Sequence, residues 1–536
     1  MNRWFALWIV AGLVGSLSAQ FEGGISEPDT SIPILQDFAD NSYKLSTTIT
    51  AKDLKEHIFA LANDSMQGRE TGTHGNRRAA EYIAAKFKKL DLPQIIGSDH
   101  GYFQQVPFTF TGWVNQQIVV GGKKLRAGQD FLSYPRSSIS LQVQADSIAF
   151  VGYGIDDKDY SDYTSEDVGP VAIAYDGEPR DSLGKFILTG TKSSSDWSLT
   201  VDKKAKAAKE RGVEVLFVIS NNYRRLLNQD GGVLTRNWTE LGFQESPEGC
   251  NVIFISTTVA KSIFGDQIDQ IIAERVRRSD GENPSPYAIT IPTFINQALE
   301  RRQENGQNII GYIKGTDLRD QLVVVSAHYD HIGTYGNEVY NGADDNASGT
   351  TTVLEIAEAI QTAVKLGLGP RRSVLCLLVT GEEKGLLGSQ WYADHPVFPL
   401  ETTMVDVNID MQGRTDNKYM KQDVFYNYVI GSDRISQDLH DLNEEINETY
   451  TQMTLDYTYN DENDPNRIYY RSDHYNFAKN GIPSIFFFSG LHPDYHRLTD
   501  TPDKIEIDLL KKRARHSFHL IWALANQENP LRISVK

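Results

Sequence analysis

The chain has 536 residues, a length that suggests about three domains, and its 40% hydrophobic and 23% charged residues are ordinary for a globular protein. A net charge of −18 argues against nucleic acid as a partner, because phosphates demand a basic face. The two cysteines, Cys250 and Cys376, lie far apart, and Cys376 sits inside an apolar run, so a buried free thiol is expected there rather than a disulfide.

Arg3 gives the N-terminus a positive start, Trp4 to Val14 form a short apolar stretch, and Gly15-Ser16-Leu17-Ser18-Ala19 offers small residues for cleavage. This pattern is that of a secretory signal over residues 1–19. The apolar stretch is short for a membrane span of about 20 residues, so an uncleaved anchor is the lesser alternative. Export to a periplasmic or extracellular space follows, with no span left after cleavage. Residues 20–45 are polar and rich in Gly, Pro, Ser and Asp, which predicts an unstructured leader.

Apolar residues recur at helical spacing from Lys52 to Leu61 and from Asn76 to Leu90, with a turn-rich linker, Asn63 to Thr73, before the second. From about Val114 to Ile291 the texture changes to short β-like runs such as Ile148-Ala149-Phe150-Val151 and Val215-Leu216-Phe217-Val218, with one helix, Asp202 to Arg211. We therefore expect an inserted, mostly β domain over residues 113–294. The flanking segments, 46–112 and 295–536, would form one discontinuous domain in which strands and helices alternate up to an amphipathic C-terminal helix, Ile505 to Asn526.

Four apolar runs in this second part each lead into an acidic residue or a histidine. Val323 to Ala327 runs into His328-Tyr329-Asp330, and Val374 to Val379 runs into Thr380-Gly381-Glu382-Glu383. Met404 to Ile409 ends in Asp410, and Ile482 to Phe488 leads through a short loop to His496. Asp345 lies in Gly342 to Gly349, which opens a helical pattern, Thr350 to Ala363. In an open α/β sheet the functional crevice lies at the carboxyl ends of the strands, so these runs converge on one place. Each residue has a plainer reading: His328 and Asp330 as a solvated strand end, Asp344 as a helix N-cap, and Glu382-Glu383 as surface glutamates. The last fits poorly after so apolar a run, and a charge that ends a buried strand, as Asp410 does, needs a partner.

Adjacent side chains at a strand end point differently, so one glutamate of the pair can bind metal while the other faces a water. Asp330 is placed to act directly or to orient the His328 ring. Two imidazoles and three carboxylates suit zinc, with manganese or cobalt as substitutes. Five ligands are too many for one tetrahedral ion with an open position and too few for two separate ions, unless one carboxylate bridges. A two-metal centre of that kind can polarise a carbonyl and generate hydroxide at neutral pH.

His328-Tyr329-Asp330, Gly342 to Gly349, Glu382-Glu383-Lys384-Gly385, Asn408-Ile409-Asp410-Met411 and Asp494-Tyr495-His496, in that order, resemble the motifs of the co-catalytic zinc exopeptidases of clan MH, the bacterial leucyl-aminopeptidase and glutamate-carboxypeptidase type. The resemblance covers about Asp53–Phe108 and Ile309–Asn526. It implies an α/β fold with a mixed, mostly parallel central sheet flanked by helices, and two zinc ions per chain bridged by Asp345. His328 and Asp410 would hold one ion and Glu383 and His496 the other, with Glu382 as general base. It also selects His496 over His474 and His492, because Tyr495-His496 precedes the family-like segment Thr499 to Lys504. Arg471 to Phe477 is similar to the family's substrate-pocket segment, which implies Asp473, His474 and Tyr475 at the substrate. The inserted region resembles a protease-associated domain, through Lys203 to Gly212 before a strand and Cys250 to Ile255 later.

The resemblance implies a secreted aminopeptidase acting on peptides. A dipeptidase or carboxypeptidase, or a glutaminyl cyclase of the same fold, is the alternative, and a non-catalytic binding relative is more remote because Glu382 and all five ligands are intact. Asn346-Ala347-Ser348-Gly349 after Asp345 disfavours the cyclase. A carboxypeptidase would need a basic clamp, for which Arg414 and Arg471 are the nearest residues. An amine-binding site would instead use the acidic groups Glu382, Asp410 and Asp473 among Tyr469, Tyr470, Tyr475 and Phe477.

Overall fold

The computed structural model describes residues 41–97, 101–134, 140–163, 168–234, 237–243, 248–279 and 287–534. The expected signal segment and most of the leader lie outside them. Residues Asn41–Ser46 do not continue an unstructured leader as expected: they form helix α1, with Leu45 buried and Ser42 Oγ 2.6 Å from His519 Nδ1. The chain divides into two compact units, with breaks after Pro107 and after Glu304. The sequence texture put these breaks at 112 and 294. Neither falls at a turn, because the long strands Phe103–Val120 and Tyr287–Ile313 run through them.

The first unit contains helices α2 (Ala51–Leu61) and α3 (His74–Lys89), then strand β1 (Leu318–His328), helix α4 (Gly349–Lys365), β2 (Arg372–Val379), α5 (Leu387–Asp394) and β3 (Thr403–Asp410). There follow β4 (Tyr426–Ile430), α6 (Gln437–Ile446), β5 (Thr454–Asp456), α7 (His474–Ala478), β6 (Ser484–Phe488) and α8 (Ile507–Asn526). The strand order is β5-β4-β6-β3-β1-β2, with residues 309–313 antiparallel at the β2 edge. β2, β1, β3 and β6 run parallel and β4 pairs antiparallel with β6, so the sheet is mixed and mostly parallel.

Alternate residues of the central strands go to opposite faces, as the pleat requires. Val323, Val325, Val374, Cys376, Val405 and Val407 pack with α2, α3, α4 and α8, while Val324, Leu375, Leu377 and Val379 pack with Tyr392 and Phe477 on the other side. A sheet covered on both faces explains why its strands read as continuous apolar runs. From β1 the chain adds β2 on one side and β3 on the other. The topological switch point therefore falls at the carboxyl end of β1, where His328 stands.

The second unit has more strand than helix, with more helices than the sequence texture suggests. Strands Ser140–Phe150, Val171–Tyr175, Val215–Ser220 and Asn251–Ser256 are parallel neighbours, edged by antiparallel Phe131–Tyr134 and by residues 287–298. Besides the expected helix at Asp202–Glu210, helices form at Tyr223–Leu234, Thr257–Phe264 and Gln267–Ser279. Thr257-Thr258-Val259 carry poor helix propensity, and their helix forms with Ala260 and Phe264 buried. Both cysteines are buried, and no disulfide joins them. Among the described residues no helix is long and apolar enough to cross a membrane.

α8 carries a pH-sensitive pair. His516 is fully buried, with Thr451 Oγ1 2.9 Å from Nδ1 and Asn443 Oδ1 2.9 Å from Nε2, and burial lowers its pKa to about 3. His519, one turn on, is also held neutral by burial. An unfolded histidine titrates near 6.5, so below that pH the unfolded chain binds the extra proton. The stabilisation is complete above pH 6.5 and is lost as pH falls, by up to about 1.4 kcal/mol per unit for each ring. His516→Gln should therefore show a shallower loss of denaturant midpoint between pH 6.5 and 4.5 than the parent chain, and equal slopes would reject the assignment.

Candidate metal centre

The β1, β2, β3 and β6 ends bring His328, Glu382, Glu383, Asp410 and His496 to one side of the sheet, and the loop entering α4 delivers Asp345. The register is direct: His328 pairs with Val379, three residues before Glu382, and Asp410 pairs with Phe488. Asp345 faces two imidazoles with different oxygens. Its Oδ1 lies 3.5 Å from His328 Nε2 and its Oδ2 lies 2.9 Å from His496 Nε2. Asp410 Oδ1 is 3.3 Å from His328 Nε2, and Glu383 Oε2 is 3.2 Å from His496 Nε2. Two groups of metal-ligating type result, His328 with Glu382 and Asp410, and His331 with Asp345, Glu383 and His496.

Several of these atoms are buried without a hydrogen-bond partner: His328 Nε2, His331 Nδ1, Asp345 Oδ2, Glu383 Oε1 and Asp410 Oδ1. Buried polar atoms are rarely left so, and close contacts without hydrogen-bond alignment are what ligand atoms around a common centre give. Burial would lower the His496 imidazole, yet Asp345 and Glu383 raise it to about 10. Burial alone would raise Glu383, and His331 and His496 instead hold it well below the usual carboxylate range. The cluster has a surplus of negative charge that a divalent cation would neutralise. Its nitrogen and oxygen atoms fit zinc.

The remaining atoms of these residues are fixed from behind. Ser472 Oγ donates to Asp410 Oδ2 at 2.8 Å. Asp330 accepts from Thr71 Oγ1 at 2.8 Å and from the Glu382 N–H at 3.3 Å. Its carbonyl oxygen, 3.2 Å away, rather than its carboxylate at 3.8 Å, is the near neighbour of His328 Nδ1. The Asp500 carboxylate accepts the backbone N–H groups of Asp344 and Asp345 at 3.1 and 3.2 Å. Gly342 has φ +56, and a Cβ there would lie 2.5 Å from the His331 ring, so only glycine fits.

Three alternatives find other places. Asp344 is no helix N-cap: its Oδ1 accepts the Gly413 N–H at 2.6 Å and its Oδ2 lies 3.2 Å from His492 Nε2, which takes His492 away from the centre. His474 is fully buried and stacks on Phe486. Glu382 lines the pocket, and burial, against the attraction of His328, puts its carboxyl well above the usual range.

The pocket beside the centre is lined by His328, Asp345, Glu382 and Asp410 together with Met411, Ile468, Arg471, Phe486, Phe488, Leu491 and Tyr495. Asp473 and His474, expected at the substrate, are instead fully buried, Asp473 accepting from Ser389 Oγ at 2.5 Å. Tyr475 packs edge-on to Tyr469 and Tyr470, and Phe477 is in the core. The 471–477 segment reaches the pocket through Arg471 alone, because α7 turns its following residues inward. Arg414 is bound to Asp494 at 3.0 Å. His331 lies outside the strand-end pattern, and the spacing His328-x-x-His331 is the sequence signal that marks it. Its Nδ1 is 2.9 Å from Glu383 Oε1 and 3.6 Å from Asp345 Oδ2.

A mostly parallel α/β sheet whose strand ends carry two adjoining groups of metal-ligating residues defines a metal-dependent class of protein. Residues 308–521 match peptidase family M28, which is of the co-catalytic zinc type. The chain is 26% identical over 249 residues to aminopeptidase YwaD of Bacillus subtilis, covering 44% of this chain and 48% of the relative. It is 31% identical over 213 residues to a probable leucine aminopeptidase of Arthroderma otae, covering 38% and 55%. The chain thus spans about half the length of the curated relatives it matches. The fold is similar to that of an aminopeptidase from Aneurinibacillus sp. strain AM-1, with a TM-score of 0.51 and 18% identity over 92% of this chain and 98% of that one.

Proposed function

We propose that the chain is an exported two-zinc exopeptidase, an aminopeptidase that removes the N-terminal residue of peptides. The observation that carries this reading is Glu382, standing in the pocket wall within 4.0 Å of His328 in a site where Asp345 faces both His328 and His496. In this reading His328 and Asp410 would hold one ion and Glu383 and His496 the other, with Asp345 serving both. Bound there, the ions would supply charge to polarise the scissile carbonyl and to acidify a water. Glu382 takes the water's proton on its carboxylate and passes it to the leaving amine. Asp330 fixes the Glu382 backbone and the His328 ring and acts as a positioning residue. The acidic groups Glu382 and Asp410 attract the substrate's free α-amine, and Met411, Ile468, Phe486, Phe488 and Leu491 offer an apolar cavity for its side chain. The aminopeptidase names of the relatives from Bacillus and Arthroderma support the class, and Arg3, Trp4 to Val14 and Ala19 support export.

Arg471 favours a second reading. It lines the pocket, its Nη2 donates to Tyr495 Oη at 3.2 Å, and a guanidinium suits a substrate carboxylate, as a dipeptidase or carboxypeptidase requires. Peptides blocked at either end separate the two. N-acetylation should abolish cleavage while C-terminal amidation changes it little, and the reverse pattern would overturn the aminopeptidase reading but leave a two-zinc hydrolase.

A further inference from the structure

His331 is fully buried, and neither of its ring nitrogens has a hydrogen-bond partner. An imidazole with two idle nitrogens buried among carboxylates is costly unless one nitrogen is a ligand. Its Nδ1 stands 2.9 Å from Glu383 Oε1 and 3.6 Å from Asp345 Oδ2. The neighbouring contacts of His496 Nε2, 2.9 Å to Asp345 and 3.2 Å to Glu383, fall within that range. With metal–ligand bonds near 2.0–2.1 Å, the edge of a tetrahedron is roughly 3.3 Å, so these separations are those of atoms sharing one ion. The ring is also held in place: its backbone N–H donates to the Arg69 carbonyl at 3.4 Å, and the missing Cβ of Gly342 leaves it room.

We propose that His331, through Nδ1, is a fourth protein ligand of the metal position formed by Asp345, Glu383 and His496. This rests on the two-metal reading above. Four protein ligands close a tetrahedral position, whereas His328, Asp410 and the bridging Asp345 give the other position only three and leave it open. The two positions therefore divide the work: one holds its ion tightly, and the other, which faces the pocket through His328, Asp410 and Glu382, is open to substrate.

Zinc stoichiometry and affinity of the full chain, titrated against a chromophoric chelator, together with the visible spectrum of the cobalt-loaded protein, test the assignment. The parent chain is expected to bind two ions, one much more tightly. His331→Asn should weaken the tighter ion by roughly 10²-fold and reduce the tetrahedral cobalt absorption. His331→Asp, which returns an oxygen ligand, should recover part of both, and it also serves if the asparagine variant fails to fold. An asparagine variant with unchanged affinity, or with lowered affinity and an unchanged cobalt spectrum, would show that His331 is no ligand and at most steadies Glu383. A parent chain that binds a single ion would sink the two-metal reading itself, and this inference with it.

Discussion

Glu382→Gln is expected to cut turnover by roughly 10²- to 10⁴-fold while the protein keeps its metal, the range typical for loss of a general base. Glutamine preserves the shape of the side chain and cannot accept a proton. Glu382 Oε2 is 4.0 Å from His328 Nε2, the longest of the imidazole–carboxylate contacts at the centre, and the side chain is 12% exposed on the pocket side. Its backbone N–H remains tied to Asp330, so the substitution should leave Glu383 where it is. Steady-state rates and metal analysis on the same preparation decide the matter. Near-normal turnover with unchanged zinc would remove Glu382 from the chemistry, and loss of zinc would make it a ligand instead.

Arg69→Met should cost on the order of 4 kcal/mol of stability, the largest single-residue effect we expect away from the chemistry. The guanidinium is fully buried and donates to four carbonyl oxygens: Tyr329 at 2.7 Å, Leu61 at 2.7 Å, Asn341 at 2.6 Å and Gly342 at 2.8 Å. Burial lowers its pKa to about 10, with Asp345, Asp500 and Asp330 opposing, so it stays charged at neutral pH. Methionine would leave those carbonyls unpaired and remove a positive charge from beneath an acidic cluster. Lysine would rescue poorly, because a single ammonium cannot span the fork that a guanidinium fills. Chemical denaturation of the variant measures the cost. A shift below about 1 kcal/mol would mean that the loops bearing His328 and Asp345 do not lean on Arg69.

Much of this centre was legible before any coordinates. Strands covered on both faces must be apolar throughout, so the polar residue at each strand end stood out, and the open-sheet rule placed those ends together. That is why His328, Glu382, Glu383, Asp410 and His496 could be read from one chain. Three things needed the tertiary structure. Arg69 lies in a turn-rich linker, and its value comes from four carbonyls, two of them more than 270 residues away in sequence. His331 lies three residues past the end of β1, in a loop rather than at a strand end, and its ring fits against Gly342 only because that residue has no Cβ. The pocket wall depends on which way the 471–477 segment turns: Arg471 faces the cavity and Asp473 the core, a choice made by packing against Ser389 and Phe486. Residue type and strand period thus determined which side chains could bind metal, because those signals are local. The orientation of loop side chains and the support beneath them were decided only in the folded chain, since contacts between distant segments leave no period in the sequence.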